Sequence, residues 1–356
     1  MGSRVTARVS LYVNSFVISV ASALVLPNVP AYVYRMGGSE LVAGLVLSAF
    51  SVTMAVVSVP ISRRLEGAPA GIPIALGCLG YGASLAPFLL APSIGTLGVA
   101  RALQGACSAF SFTSSVAAAV QMGRRVVSIN NLASNLGFIV GYAVSSSLPH
   151  PFRWCLVLSA CSAAFGLPLL SVRLRPQEEV TREHGYRSSF PAALLLTFAS
   201  TLPNSAVTLL APRVEPHYGP VIAAMTAASG LAQLLGPSLG EDLSAALAGL
   251  LAGVAGLLGY SLASVLLAGV ACGLMYYAAN IYSGGGRGVR AISLAIGVGY
   301  AVNQPLIGAI TVVGWDGWSL SSAISGALSL AALVGTLGVG GAVRSHRDGR
   351  DRGRGG

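Results

Sequence analysis

Long apolar runs follow one another through this chain, each near the roughly 20 residues that carry a helix across a hydrocarbon core, and the breaks between them are short and rich in arginine. A backbone placed in lipid has to satisfy its own N–H and C=O groups, so only helices and closed barrels span a membrane. These runs are about twice the length a barrel strand uses, which selects helices. Composition agrees, because 54% hydrophobic residues against 9% charged leaves too little charge to cover a soluble surface, where about a quarter is usual. Large soluble enzyme folds are excluded.

The runs fall at 9–34, 41–61, 70–91, 93–121, 126–148, 152–172, 190–211, 219–239, 243–259, 261–282, 290–313 and 318–342, which gives twelve expected spans. Almost no polar residue separates two spans at Pro92 or at Tyr260–Ser261, so very tight turns are expected there; merging at both would leave ten. The first span follows Arg4 and Arg8 as a signal peptide would, but it is longer than an h-region of about 7–15 residues and ends in no small-residue cleavage site, so it is expected to be retained.

All 21 basic residues are arginine, and the absence of lysine excludes Walker-A phosphate loops and Schiff-base chemistry. Short positively charged loops stay cytoplasmic. With twelve spans, seventeen arginines fall on the side of the termini: Arg4, Arg8, Arg63, Arg64, Arg124, Arg125, Arg173, Arg175, Arg182, Arg187, Arg287, Arg290, Arg344, Arg347, Arg350, Arg352 and Arg354. Only Arg35, Arg153 and Arg213 fall opposite, and Arg101 lies inside a span. The expectation is a multi-pass protein of the cell membrane with both termini cytoplasmic, its net charge of +10 serving topology rather than nucleic-acid binding. From Arg344 a disordered basic arm is expected near anionic headgroups. The five cysteines lie in apolar runs without CxxC or Cys/His spacing and read as small core residues, so no metal or cofactor is expected.

An internal repeat organises the chain. Leu26-Pro27-Asn28 in span one returns as Leu202-Pro203-Asn204 in span seven, Gly98-Val99-Ala100 in span four as Gly269-Val270-Ala271 in span ten, and Gly141-Tyr142-Ala143-Val144 in span five as Gly299-Tyr300-Ala301-Val302 in span eleven. Three matches in the same order describe two six-span halves, 1–172 and 190–342, joined by a polar linker at 173–189 and followed by a tail at 343–356. The fold class expected is an all-α membrane protein of twelve transmembrane helices, built as two six-helix pseudo-symmetric halves around a central cavity.

Amides in hydrocarbon are costly unless they face protein or water. Asn14, Asn28, Gln104, Asn130, Asn131, Asn135, Asn204, Gln233, Asn280, Asn303 and Gln304 avoid spans three, six, nine and twelve altogether, which marks those four as facing lipid. Residues three and four apart share a helix face. Arg101, Gln104 and Ser108 make a stripe on span four that Ser111 and Ser115 extend; Ser128, Asn131, Asn135, Tyr142 and Ser145 make another on span five; Thr197, Thr201, Asn204 and Thr208 a third. Tyr276 aligns with Asn280, and Tyr300 with Asn303 or Gln304. The candidate cavity residues are therefore Asn28, Arg101, Gln104, Ser108, Asn131, Asn135, Tyr142, Thr201, Asn204, Tyr276, Asn280, Tyr300, Asn303 and Gln304. The competing reading is that such residues bond helix to helix across dry contacts. Arg101 has no Asp or Glu deep in any span, which leaves Gln104, backbone carbonyls, water or an anionic substrate as partners, and both a structural and a substrate-binding role stay open.

Arg101-Ala102-Leu103-Gln104-Gly105 in span four, the basic loop after span two, and Arg153-Trp154 after span five together resemble the major facilitator superfamily. The resemblance spans the chain in layout and a few short motifs in letters, and it implies twelve spans in two six-span repeats. Two departures stand out. The loop Pro60–Pro69 lacks the Asp of the family's Gly-x-x-x-Asp-Arg-x-Gly-Arg-Arg pattern, and Gly137–Ser146 keeps only the first glycines of the antiporter signature, which weakens a drug-efflux assignment.

Gly236-Pro237-Ser238-Leu239-Gly240 matches a serine-nucleophile pattern, but all four histidines lie in loops or the tail, so a helix-end turn is expected and no enzyme. Gly137-x-x-x-Gly141, Gly249-x-x-x-Gly253 and Gly269-x-x-x-Gly273 read as packing and rocking surfaces, and Pro27 and Pro203 as kinks. The function expected is a secondary transporter that moves a small organic solute by alternating access, as a monomer in the lipid bilayer, by uniport or exchange. An embedded carboxylate for proton coupling is missing, and Arg101 favours anionic or hydroxyl-rich solutes. The alternative is a polytopic membrane protein without transport activity: a scaffold, receptor or lipid-modifying enzyme.

Overall fold

A computed structural model describes residues 2–65, 67–174, 190–282 and 286–352. The linker beyond residue 174, and residues 353–356 of the tail, lie outside the described residues. Fourteen α-helices are described: α1 (Gly2–Val25), α2 (Asn28–Arg35), α3 (Glu40–Arg64), α4 (Gly71–Ala83), α5 (Ala86–Leu90), α6 (Ile94–Met122), α7 (Arg124–Ser145), α8 (Pro151–Gly166), α9 (Phe190–Val214), α10 (Tyr218–Leu239), α11 (Glu241–Leu257), α12 (Leu262–Tyr282), α13 (Gly286–Val312) and α14 (Gly317–Arg352). Each expected span coincides with one helix or with a broken pair: α1 with α2, α4 with α5, and α8 with the 3-10 turn Leu167–Ser171.

Local chemistry sets the boundaries. Ser93 and Thr96 cap each other's backbone N–H at 3.1 Å and start α6 at Ile94, four residues after α5 ends at Leu90. Gly123 at φ 112° and Gly240 at φ 77° turn the chain within one residue between α6 and α7 and between α10 and α11. Pro27 splits α1 from α2, whereas α9 runs unbroken through Pro203. One expectation fails at the end of the chain, where the disordered arm expected from Arg344 is helix as far as Arg352. No proline follows Gly317, and arginine is a strong helix former, so α14 continues through the tail despite its glycines.

Eight stretches are long and apolar enough to cross a membrane, among them Val5–Arg35, Glu40–Ser58, Pro191–Val214 and Leu262–Ala279. Helices α6 and α7 are long enough but fall short in hydropathy because they carry Arg101, Gln104 and the asparagines of the central stripes. They are flanked by more apolar helices that supply the lipid-facing surface.

Within residues 2–174, α1 packs on α7 and α8, α3 on α6, and α4 on α6 and α8. Within 190–352, α9 packs on α13 and α14, α10 on α12, and α11 on α12 and α14. The two sets meet where α3 packs on α13 and α7 on α10.

Small residues make these approaches possible. A Cβ on Gly141 would lie 2.6 Å from Ala23 Cβ and 2.7 Å from Val20 O of α1, one on Gly269 would lie 2.5 Å from Met225 O of α10, and one on Gly249 would lie 2.8 Å from Leu330 Cγ of α14. All three expected glycine motifs thus serve packing, but within a set and not between sets. The crossing between sets uses other glycines: a Cβ on Gly44 would lie 2.5 Å from Gln304 O, and one on Gly308 would lie 2.5 Å from Glu40 O.

Gly141→Val should force α7 off α1 and cost about 1–3 kcal/mol, as overpacking does. Gly98→Val, at a site with nothing within 4 Å of the added Cβ, is the matched control on a helix. Unfolding in mixed detergent micelles should separate the two; equal loss in both would show that α7 does not depend on close approach.

Candidate functional site

Arg101 is 1% exposed and sits eight residues into α6, held from several sides. Its Nη1 donates to Gln104 Oε1 at 2.7 Å, one turn on along the same helix. Its guanidinium carbon lies 4.5 Å from the centre of the Phe50 ring of α3. The Tyr81 side chain of α4 lies within electrostatic reach of it, and the Tyr81 ring meets Phe50 edge-on at 6.4 Å. Gln104, fully buried, is itself anchored by Nε2 donating to Tyr81 O at 3.4 Å. Among the described residues no carboxylate pairs with Arg101, and its Nε has no partner. The charge therefore faces one amide, one phenol and one aromatic face, a set that the planar, many-donor guanidinium can meet at once. Phe50 and Tyr81 carried no signal in the sequence, because each looks like an ordinary apolar residue of its span.

Asn28 is drawn into structure. Its Nδ2 donates to Leu24 O at 2.7 Å and to Ser145 O at 3.0 Å, while its Oδ1 accepts from the Tyr218 hydroxyl at 2.8 Å. Asn204, its counterpart in the repeat, turns back in the same way, donating to Ser200 O at 3.0 Å. Thr201 accepts from Asn303 Nδ2 at 2.7 Å, which joins α9 to α13. Asn303 Nδ2 also faces Phe198 O at 3.4 Å, leaving its buried Oδ1 and the buried Gln304 Oε1 without partners. Tyr142 is buried, stacks on Phe138 at 5.8 Å and lies within electrostatic reach of Arg101 and of Tyr300, the tyrosine of the repeated tetrapeptide. Tyr300 in turn lies within reach of Tyr276. Ser108 and Asn135 are half-buried, Asn131 is exposed, and the side chain of Asn280 lies outside the described residues.

Two further asparagines bond helix to helix. Asn14 donates to Ser162 O at 2.7 Å and Ser162 Oγ at 2.9 Å, tying α1 to α8, and Asn130 accepts from Ser15 at 2.7 Å, tying α7 to α1.

At the end of the molecule that carries Glu40, side chains tie the two helix sets directly. Tyr34 donates to Leu209 O at 2.7 Å, Tyr218 reaches Asn28, and Arg213 forms an ion pair with Glu40. The Glu40 side chain is 9% exposed against 56% for Arg213, so the carboxylate is the buried partner. This cluster was missed in the sequence because Glu40 and Arg213 read as loop-end charges of different halves.

Gln104→Leu keeps the volume but leaves a buried guanidinium without its amide acceptor, and should cost about 2 kcal/mol. Detergent-micelle unfolding of Gln104→Leu, Phe50→Leu and the double variant measures how the two share the charge; an unchanged midpoint in Gln104→Leu would show that Gln104 does not hold Arg101.

Among curated proteins none matches this chain. Solved structures share its fold. The nucleoside transporter NupG superposes with a TM-score of 0.68 at 12% identity, covering 93% of this chain and 98% of that one. The human organic anion transporter MFSD10 (TETRAN) superposes with a TM-score of 0.68 at 16% identity, covering 93% and 99%. FucP in its outward conformation gives a TM-score of 0.64 at 14% identity, covering 93% and 98%. The family description Major Facilitator Superfamily matches residues 11–311. The chain is a member of the major facilitator superfamily.

Proposed function

We propose that this chain is a secondary transporter in which two six-helix halves, 1–172 and 190–342, rock about a central site and carry a small organic solute by uniport or exchange. The observation that supports this most is the repetition of the helix contacts: α1 on α7 and α8, α3 on α6, and α4 on α6 and α8 are matched, in order, by α9 on α13 and α14, α10 on α12, and α11 on α12 and α14. Inverted and parallel repeats with a site between them serve alternating access. The distribution of arginine supports cytoplasmic termini with Glu40 outside, and on that topology the Tyr34, Tyr218 and Arg213 ties hold an outward-closed state.

The family relatives named above carry, by their names, nucleosides and organic anions, which sets the first solutes to try. Arg101 acts here as a positioning residue: Nη1 donates to Gln104 and the guanidinium lies against Phe50 and beside Tyr81, which fixes α6 against α3 and α4 although Nε keeps no partner among the described residues. On this reading Arg101→Gln reduces transport of anionic and neutral solutes alike, whereas preferential loss of anions would make Arg101 a substrate ligand.

Proteoliposomes given labelled nucleosides, sugars and organic anions should show saturable uptake or exchange of at least one class down its own gradient. No paired, embedded carboxylate is available to carry a proton other than Glu40, which Arg213 neutralises. An imposed pH gradient alone should therefore drive no uphill accumulation, and accumulation would refute the uniport or exchange mechanism.

The closed state makes a separate prediction. Arg213→Gln removes a half-exposed ion pair worth about 1 kcal/mol, which shifts a two-state equilibrium about fivefold. A single reporter cysteine at Thr208, with the native cysteines replaced, should then react several-fold faster with an impermeant maleimide added outside; an unchanged rate would show that the pair does not hold the closure.

A further inference from the structure

A cavity of about 380 Å³ lies at the corner where α6 turns into α7 beside the start of α1, lined by Arg8, Tyr12, Met122, Gly123, Arg125, Val126 and Ile129. It lies at the adjoining ends of α6 and α7, and none of the candidate residues of the central stripes lines it. Two arginines face it and no carboxylate does, and neither Arg8 nor Arg125 is in an ion pair among the described residues. Both are exposed, so neither charge is consumed by the fold in the way that Arg101 is.

The lining has two characters. Arg8, Arg125 and the Tyr12 hydroxyl supply donors, with two formal positive charges among them, while Met122, Val126 and Ile129 form an apolar wall. Two guanidiniums converging on one space favour an oxyanion with several acceptor oxygens, and phosphate is the group that matches their forked geometry. A volume at the small end of ligand sites suits a compact group rather than a large solute. The apolar wall decides the source: free phosphate gains nothing from it, whereas a lipid phosphodiester places its glycerol and first acyl carbons there. An ethanolamine or choline headgroup brings a cation that meets no carboxylate in this lining.

We propose that this cavity binds the phosphodiester of an anionic phospholipid, with Arg8 and Arg125 on the phosphate oxygens, Tyr12 donating a hydrogen bond, and Met122, Val126 and Ile129 against the glycerol and proximal acyl chain. On the cytoplasmic side given by the arginine distribution, this is the leaflet in which anionic headgroups attract juxtamembrane arginine. The proposal does not depend on the transport reading, since the cavity lies on the surface at the end of the spans.

Native mass spectrometry of the purified full chain, with phosphatidylglycerol or phosphatidylcholine added in detergent, tests it. Wild type should retain phosphatidylglycerol in preference to phosphatidylcholine. Arg8→Gln with Arg125→Gln should weaken phosphatidylglycerol retention about thirtyfold, given about fivefold for each arginine near an anionic headgroup. Arg35→Gln with Arg153→Gln removes the same two charges at the opposite end of the spans and should leave retention unchanged. Arg8→Lys with Arg125→Lys keeps the charge and should keep most of the binding, which separates loss of the site from loss of folding. Glycerol 3-phosphate at millimolar concentration should not displace the lipid; displacement would assign the site to a free phosphorylated solute and overturn the lipid assignment. Equal retention of both lipids, or undiminished phosphatidylglycerol retention in the Arg8 and Arg125 double variant, would overturn the site.

Discussion

In a hydrocarbon solvent, burying one apolar side chain against another gains little over leaving it in lipid, so the arrangement of these helices depends on where their backbones can touch. Several close approaches fall on glycines. Gly141 meets α1 at Val20 and Ala23, Gly269 meets α10 at Met225, and Gly44 and Gly308 bring α3 and α13 together over Gln304 and Glu40. With dispersion contacts so short-ranged, a backbone that can reach its neighbour contributes more than a larger side chain that holds it away. The two kinds of glycine have different work: those of the expected motifs lock helices inside each set, and those on α3 and α13 lie where one set crosses the other. Among the described residues α3 on α13 is the most extensive helix contact in the molecule and α7 on α10 a second, so the two sets meet along close-packed seams.

Polar groups then have to be satisfied inside that frame, and Arg101 shows how. Removing a charge from water costs several kcal/mol even after relaxation, and a buried carboxylate would bring a second desolvation cost with it. The chain instead surrounds the guanidinium with the Gln104 amide, the Tyr81 phenol and the Phe50 ring, none of which carries a charge of its own to desolvate. The arrangement couples three helices, α3, α4 and α6, through one residue. It also explains why the motif pairs Arg101 with Gln104 at a spacing of three: the spacing sets the amide one turn away on the same face, where Nη1 reaches it at 2.7 Å.

Much of this was legible in the sequence. The helix positions follow from the apolar runs and the breaks between them, and the resemblance to the family rests on Arg101-Ala102-Leu103-Gln104-Gly105 in its expected place. What was not legible is the phase of each polar residue. Asn130 and Asn131 are neighbours in sequence yet point about 100° apart on α7, so one is buried against Ser15 of α1 and the other is exposed. A single sequence marks both as costly in lipid but does not say which neighbour each will meet. Glu40 and Arg213 illustrate the same limit at long range, since their pairing depends on how α3 and α9 come together, and nothing near either residue encodes that.

The repeated Leu-Pro-Asn motif shows how duplication can leave room for different work. In both copies the asparagine folds back onto the carbonyl four residues earlier, Asn28 onto Leu24 and Asn204 onto Ser200. The carbonyl that Pro203 leaves without its intrahelical donor, Ala199 O, accepts instead from Ser325 Oγ of α14 at 2.8 Å. Yet the chain breaks after Val25 and continues unbroken through Pro203. The difference lies in the surroundings: Asn28 also binds Ser145 O and accepts from Tyr218 of the other helix set, so the pull on its side chain comes from outside the helix, while Asn204 has only its own helix to bond. A helix already broken at Pro27 lets α2 follow the contacts of Tyr34 and Asn28 without bending α1, and a continuous α9 gives those contacts a rigid surface to close on.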